Sequence, residues 1–447
     1  MKKTLQVLAL FLFTSSFAAA AAEETKCIVG ATVMDGTGRP PIKDAAIVIV
    51  GARIREVGPR SSVALPPDAQ CIDATGRFVI PGLADMHNHL FPGTVEFERP
   101  ELKNNLRKLL GWGVTLTLDP NLDLRSMSEL KAASAEPESP YPHFFGVGQP
   151  IMAKRRAFGG TMGVETGDEA REAVRSLKAG KVDLVKVGYD DMSWLLKIAS
   201  PVLKKEAMAA AVEEAHQQGL KVYFHAPLLN YAKEALAAGA DGLLHGIISD
   251  PVDDEFIERM KKNKAVYIST LALYEAAADP AGFARRQSEW DEQGLVDPEV
   301  FDSLIDSKSI RFGPSNAEID GSYIKSRLPI ARENLKRVFE SGIAVVTGTD
   351  TGIPGVLLGL SSHSELILHV EAGLTPREAL RAATIDAARM MGVEKDLGTV
   401  EPGKLADFLI LDADPLENIR HTLLIHRVVK GGVIHDPDEL REAEEQK

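Results

Sequence analysis

The sequence of 447 residues predicts an α/β protein: a (β/α)8 barrel flanked by β-rich chain ends. Three observations carry this expectation. Through the centre of the chain, short apolar runs alternate with stretches of helix formers. At both ends, β-branched runs broken by turn residues replace that rhythm. The composition, 45% hydrophobic and 26% charged, describes a chain able to bury a large core, which excludes general disorder. A formal charge of -13 argues against nucleic acid or an anionic membrane as partner. The two cysteines cannot build a disulfide framework, and no paired-Cys motif marks a structural zinc site.

Taken in order, Lys2 and Lys3 precede an apolar run over residues 5–17, and five alanines at 18–22 follow before Glu23. This is the pattern of a secretory signal peptide over residues 1–22, cut near Ala20 or Ala22. The run is shorter than the roughly 20 residues a membrane-spanning helix needs. The expectation is therefore a secreted or periplasmic protein with no membrane span after cleavage. In an oxidising compartment Cys27 and Cys71 can pair, whereas as two buried thiols they would act as small hydrophobes.

Residues 23–80 carry CIVGATVMDG, AAIVIVGARIREVG and FVIPG, short β-branched runs that read as antiparallel strands. A matching stretch, DFLILDADP then HRVVKGGVIH, fills 393–435, and 436–447 read as a solvated charged tail. Between them, in 81–392, eight strands are expected at 78–85, 113–119, 143–149, 183–187, 221–224, 242–244, 265–269 and 344–349. Helical stretches such as 203–218 and 231–238 separate them. An open doubly wound sheet is the other architecture with this alternation, but no G-x-G-x-x-G follows the first strand. The long connection 271–328 reads as a lid or pocket insertion.

Catalytic groups of such barrels sit at the C-terminal ends of the strands. The first strand runs into MHNH, where His87 and His89 are two apart and share a face. The fourth carries Lys186, the fifth ends at His225, the sixth at His245 and the eighth at Asp350. Singly, each has a plain structural reading: a hydrogen-bonded core histidine, a helix-capping aspartate, an ion-paired lysine. Together, on successive strands, they form a donor set of imidazole and carboxylate that suits zinc or a similar divalent ion.

With these residues goes a wider pattern: GATVMDGTG at 30–38, VIPGLADMHNH at 79–89, TGTDTG at 347–352, and EAGLTPREALRAATIDAARMMG from 371 into LGTVEPGKLADFLILDADP. The chain thereby resembles the amidohydrolase superfamily, in its imidazolonepropionase-like and prolidase-like branch, over nearly its whole length. The resemblance implies a metal-bearing barrel with a small β-sandwich built from both chain ends. It implies two divalent metals, zinc first among them, or one as in some members. His87, His89 and Asp350 would hold the first, and His225 and His245 the second. Lys186 would bridge them as a carbamate formed with carbon dioxide. The implied reaction is hydrolysis of a carbon-nitrogen bond in an amide, cyclic amide or dipeptide-like small molecule by water activated at the metals, with Asp350 moving the proton.

Two departures bear on substrate. Prolidase-like members carry GGHG after the third strand and Tyr after the His-Ala of the fifth; here FGGTMG puts Thr161, and HAPLLN puts Pro227, at those places. Neither supplies the missing contacts to a substrate carboxylate. Thr161, and Arg155 within the basic run Lys154, Arg155, Arg156, are the substrate-binding candidates. Other functions with the same residues are a lactonase or esterase, a lyase using Lys186 as a Schiff-base nucleophile, and a binding protein without metal. A homo-oligomer is compatible with any of them.

Overall fold

The computed structural model describes residues 24–90, 100–136, 138–156, 160–196, 199–306, 311–312 and 317–442. The proposed signal peptide lies outside these residues. Among them no helix is long and apolar enough to cross a membrane.

Both chain ends meet in one eight-stranded sheet. Its order is Val433–His435, Ile425–Lys430, Phe408–Leu411, Phe78–Pro81, Thr25–Val33, Ile42–Val50 and Arg53–Pro59, with Gln70–Asp73 pairing off this path against Thr25–Val33. Phe78–Pro81 is the seam, parallel to Thr25–Val33 on one side and antiparallel to Phe408–Leu411 on the other. Cys27 and Cys71 stand opposite each other in the parallel pair and are joined by a disulfide.

The central chain makes parallel strands. Leu83–Asp85, Val114–Asp119 and His143–Gly146 form one sheet. Val185–Gly188, Val222–His225, Gly242–Leu243, Val266–Ile268 and Val345–Val346 run in that order in another. Backbone bonds link the two sheets at both ends: Asp183 N donates to Gly146 O (3.0 Å) and Met86 N to Thr347 O (3.0 Å). Alternate residues along these strands bury against different partners. Val185, Val187, Val222 and Phe224 pack in the main cluster with the helices, whereas Leu184, Tyr223, Leu244 and Ile268 form a separate inner cluster. Residues two apart share a strand face, so Lys186 projects on the side of Leu184.

Several expectations change in detail. The single strand expected over 78–85 divides at Gly82, its first part joining the antiparallel sheet and its second the parallel one. Ile151–Ala153 and Met162–Val164 add two parallel strands at the sheet edge that were not expected. The connection 271–328 is largely helical: Leu271–Ala278, Pro280–Trp290, Pro298–Ile305 and the start of Gly321–Glu340. The charged tail, as far as it is described, is not a solvated end. Leu440 is buried, and Arg441 donates to Gly111 O (2.9 Å) with its guanidinium 5.2 Å over the Trp112 ring.

Candidate metal centre

The centre is built from the ends of the parallel strands. His87 and His89 follow Leu83–Asp85, and their Nε2 atoms each lie 3.2 Å from Asp350 Oδ1. His87 Nδ1 is 2.8 Å from Leu244 O. A carbonyl only accepts, so Nδ1 carries the proton and Nε2 keeps its lone pair. The loop that delivers Asp350 presses on the same residue: Asp350 N donates to His87 O (2.7 Å), and Gly348 passes so close that a Cβ there would sit 3.0 Å from His87 N. Asp350 itself has φ +59°, a left-handed conformation that Asp and Asn tolerate better than most residues.

His245 faces His87 with ring centroids 4.6 Å apart, and His225 faces His245 at 4.4 Å. Ligand atoms of His87, His245 and Asp350 all fall within 4.8 Å of one another. The buried Nε2 atoms of His87, His225 and His245 have no hydrogen-bond partner. Orphaned imidazole nitrogens are costly unless something else occupies their lone pairs. Protonation states agree with that. Burial pulls the imidazole of His87 down to about 4, that of His89 below its usual value and that of His245 well below it. Burial pushes the carboxyl of Asp350 up, but His87, His89 and His245 outweigh it and hold the group well below the carboxylate range. Neutral imidazoles beside an ionised carboxylate are the forms that bind a divalent ion without first losing protons. The residues present therefore fit such an ion.

Lys186 is 7% exposed, and burial draws its ammonium down to about 8 against the opposing pull of Asp350 and Asp119. Of the substrate candidates, Arg155 is exposed and Thr161 half-buried, while Lys154 pairs with Glu169 (3.0 Å). It is Arg156 that turns inward, its Nη1 donating to Asp190 Oδ1 (2.8 Å).

Three buried carboxylates escaped sequence reasoning. Asp190 also accepts from Trp194 Nε1 (2.8 Å) and lies 3.6 Å from His225 Nε2; burial pushes it up, but His225 and Arg156 prevail and hold it below the usual range. Asp119 accepts from Leu90 N (3.0 Å) and Asn121 N (2.7 Å), and burial pushes it up to about 6. Asp85, pushed by burial to about 6 as well, accepts from Thr349 N (3.1 Å), Thr349 Oγ1 (2.8 Å) and Ser362 Oγ (3.1 Å), pinning the Asp350 loop to the first parallel strand. An acid closing an apolar run, as in TLTLD and KVGYDD, was the available signal.

The family model described as "Amidohydrolase family" matches residues 78–434. The chain belongs to the amidohydrolase family. It is 25% identical to an imidazolonepropionase of Deinococcus radiodurans over 398 residues, 86% of this chain and 89% of that protein. It is 23% identical to a 5-methylthioadenosine/S-adenosylhomocysteine deaminase of Symbiobacterium thermophilum, covering 88% of this chain and 86% of that one. Among solved structures, a Xaa-Pro dipeptidase with bound methionine matches with a TM-score of 0.73 at 21% identity (92% of this chain, 100% of that one). A molinate hydrolase matches at 0.71 and 21% (95% and 97%). This amidohydrolase is thus an enzyme hydrolysing carbon-nitrogen bonds, and the α/β fold is that of its structural relatives.

Proposed function

We propose that the protein is an exported, metal-dependent amidohydrolase that cleaves an amide, cyclic amide or dipeptide-like bond in a small molecule. The observation that carries the reading is the set of three orphaned imidazole Nε2 atoms, of His87, His225 and His245: ligand atoms of His87 and His245 lie within 4.8 Å of the Asp350 carboxylate, and the His225 ring lies 4.4 Å from that of His245. His87, His89 and Asp350 would hold one ion, and His225 and His245 a second, zinc being the metal that suits these donors. Lys186 would serve both as a carbamate: its neutral amine would add to carbon dioxide and release a proton, leaving an anionic oxygen donor. Divalent ions supply Lewis acidity toward a carbonyl and make water a usable nucleophile near neutral pH. Asp350 accepts the proton of the attacking water and returns it to the departing nitrogen. Asp85 holds the loop that carries Asp350, and the Leu244 carbonyl keeps His87 in the tautomer it needs.

Eight of the ten parallel strands described, the first bonded to the last through Met86 and Thr347, support a closed (β/α)8 barrel over 81–392. The sheet shared by 23–80 and 393–435 supports a sandwich domain made of both ends. The Cys27–Cys71 disulfide supports an oxidising compartment and so the export reading. With Thr161 and Pro227 in place of prolidase-like contacts, the dipeptide is one of three substrate classes and not a prolyl dipeptide by default. No observation favours the ester or Schiff-base readings.

The test is a hydrolysis screen over N-acyl amino acids, dipeptides, cyclic amides and lactones, with zinc-loaded and chelator-treated protein side by side. Carbon-nitrogen cleavage lost on chelation and restored by zinc supports the proposal. Turnover of lactones alone, or amide hydrolysis indifferent to metal, refutes it.

A further inference from the structure

A cluster of Ser269, Glu365 and His369 lies fully buried next to the site and takes no part in the chemistry above. Its position is explained by the helix Leu271–Ala278, which begins immediately after it. The N-cap of that helix is Thr270, a residue type that ordinarily turns its hydroxyl onto the free N–H groups of the first turn. Here it does not. Thr270 has no capping bond and sits at φ +50°, ψ 42°, a left-handed conformation rare for a β-branched residue. Its Oγ1 lies instead 3.0 Å from His245 Nδ1.

The helix is capped from elsewhere. Glu365, from the helix Leu360–Glu371, places Oε1 2.9 Å from Leu271 N and Oε2 2.7 Å from Ala272 N. Ser269 Oγ donates to the same carboxylate and lies 2.7 Å from His369 Nε2, which fastens Glu365 from behind. A bidentate carboxylate on two orphan N–H groups at a helix start is a strong cap, because charge and dipole add.

The first turn of the same helix is also tied down on the side of the sixth parallel strand. Tyr274 Oη lies 2.5 Å from Gly246 O, and a carbonyl can only accept, so the phenol donates there. A hydroxyl can accept as well as donate, and a His245 that ligates a metal through Nε2 carries its proton on Nδ1, so in that role Nδ1–H donates to Thr270 Oγ1. Its Nε2, buried and without a hydrogen-bond partner, then keeps its lone pair.

We infer that Glu365 is a positioning residue for the metal centre: by capping the helix Leu271–Ala278 in place of Thr270, it frees the Thr270 hydroxyl to fix the tautomer and orientation of His245. The inference rests on the proposed role of His245 as a metal ligand. Partners that orient ligating histidines typically contribute about 10- to 100-fold in metal affinity.

The experiment measures zinc affinity of the full-length protein by competition with a chromogenic chelator, with thermal denaturation of each metal-free variant as the measure of folding. Thr270→Val removes the acceptor and keeps the side-chain shape; zinc affinity is expected to fall about 10- to 100-fold. Thr270→Ser keeps the hydroxyl and is expected to restore it. Glu365→Gln puts an amide donor against a backbone donor, and affinity is expected to fall by a comparable factor. The double variant with Thr270→Val is expected to bind no more weakly than Thr270→Val alone, since both act through one hydroxyl. A merely structural Glu365 would lower the melting temperature and leave the affinity of the folded protein unchanged. Equal affinity of wild type and Thr270→Val, or fully additive losses in the double variant, overturns the inference while leaving the metal reading intact. Wild-type protein that takes up no zinc overturns both. Should Glu365→Gln not fold, the Thr270→Val and Thr270→Ser pair decides the matter.

Discussion

Replacing Asp350 by Asn separates chemistry from folding at the residue on which the mechanism turns. The left-handed backbone at φ +59° would cost an alanine there roughly 1–2 kcal/mol, whereas Asn adopts it readily, so Asn is the substitution that leaves the loop in place. The amide keeps the size and loses the charge and the ability to take a proton. Proton transfer by a positioned side chain contributes about 10²- to 10⁴-fold. At about 1.4 kcal/mol per factor of ten, that is a barrier increase of about 3–5 kcal/mol. Asp350 is only 8% exposed, which leaves little room for bulk water to replace it as acceptor, so the upper half of that range is expected. The assay is steady-state kinetics on a substrate found in the hydrolysis screen, with zinc content and melting temperature measured on the same preparation. A folded, zinc-loaded variant whose kcat stays within tenfold of wild type would falsify the proton-transfer role.

Further perturbations reach other parts of the molecule. Lys186→Arg keeps a long cation but cannot form a carbamate; bound zinc per chain is expected to drop below the wild-type value, and an unchanged stoichiometry contradicts the bridging role. His363, bonded at 2.9 Å to Trp112 O and 3.0 Å to Thr422 Oγ1, is drawn by burial from 6.5 down to about 4. Its contribution to stability is therefore present above pH 6.5 and lost as pH falls toward 4, about 2 kcal/mol of it between pH 7 and pH 5. Urea unfolding of metal-free wild type and His363→Gln at those two pH values should show the steeper loss in wild type, and parallel losses would rule this out. Cys71→Ser opens a cross-link between residues 44 apart, which the chain-entropy account values at about 4 kcal/mol. A melting temperature equal to that of the oxidised wild type would show that the bridge contributes nothing.

Much of this was legible in order along the chain, because strand-forming runs and the residues that end them are local signals. The eight expected parallel strands appear where apolar β-branched runs stood. His87, His89, His225, His245 and Asp350 gather at their ends because strand-end position is itself a local property. What escaped depends on partners distant in sequence. Nothing near Asp190 announces that Arg156 will reach it, and nothing near Glu365 points to the amides of Leu271 and Ala272, 94 and 93 positions away. The basic run Lys154, Arg155, Arg156 shows the same limit at short range. In a turn without period two or 3.6, which of three adjacent cations faces inward follows only from where the acid sits. Likewise the charged tail looked solvated because its charges are local, whereas Gly111 and Trp112, which Arg441 reaches, lie some 330 residues earlier.

The seam strand Phe78–Pro81 sets a timetable. One of its edges finds Thr25–Val33 as soon as it is made, but the other is completed by Phe408–Leu411, near the end of synthesis. Until then the first sheet has bare backbone donors and acceptors along Phe78 and Ile80, and the parallel strands grow from a partly assembled base. Final assembly must therefore wait until nearly the whole chain has been made. A chain that cannot lock early stays threadable for longer, and a truncation just short of residue 408 should be far more damaging than its length suggests.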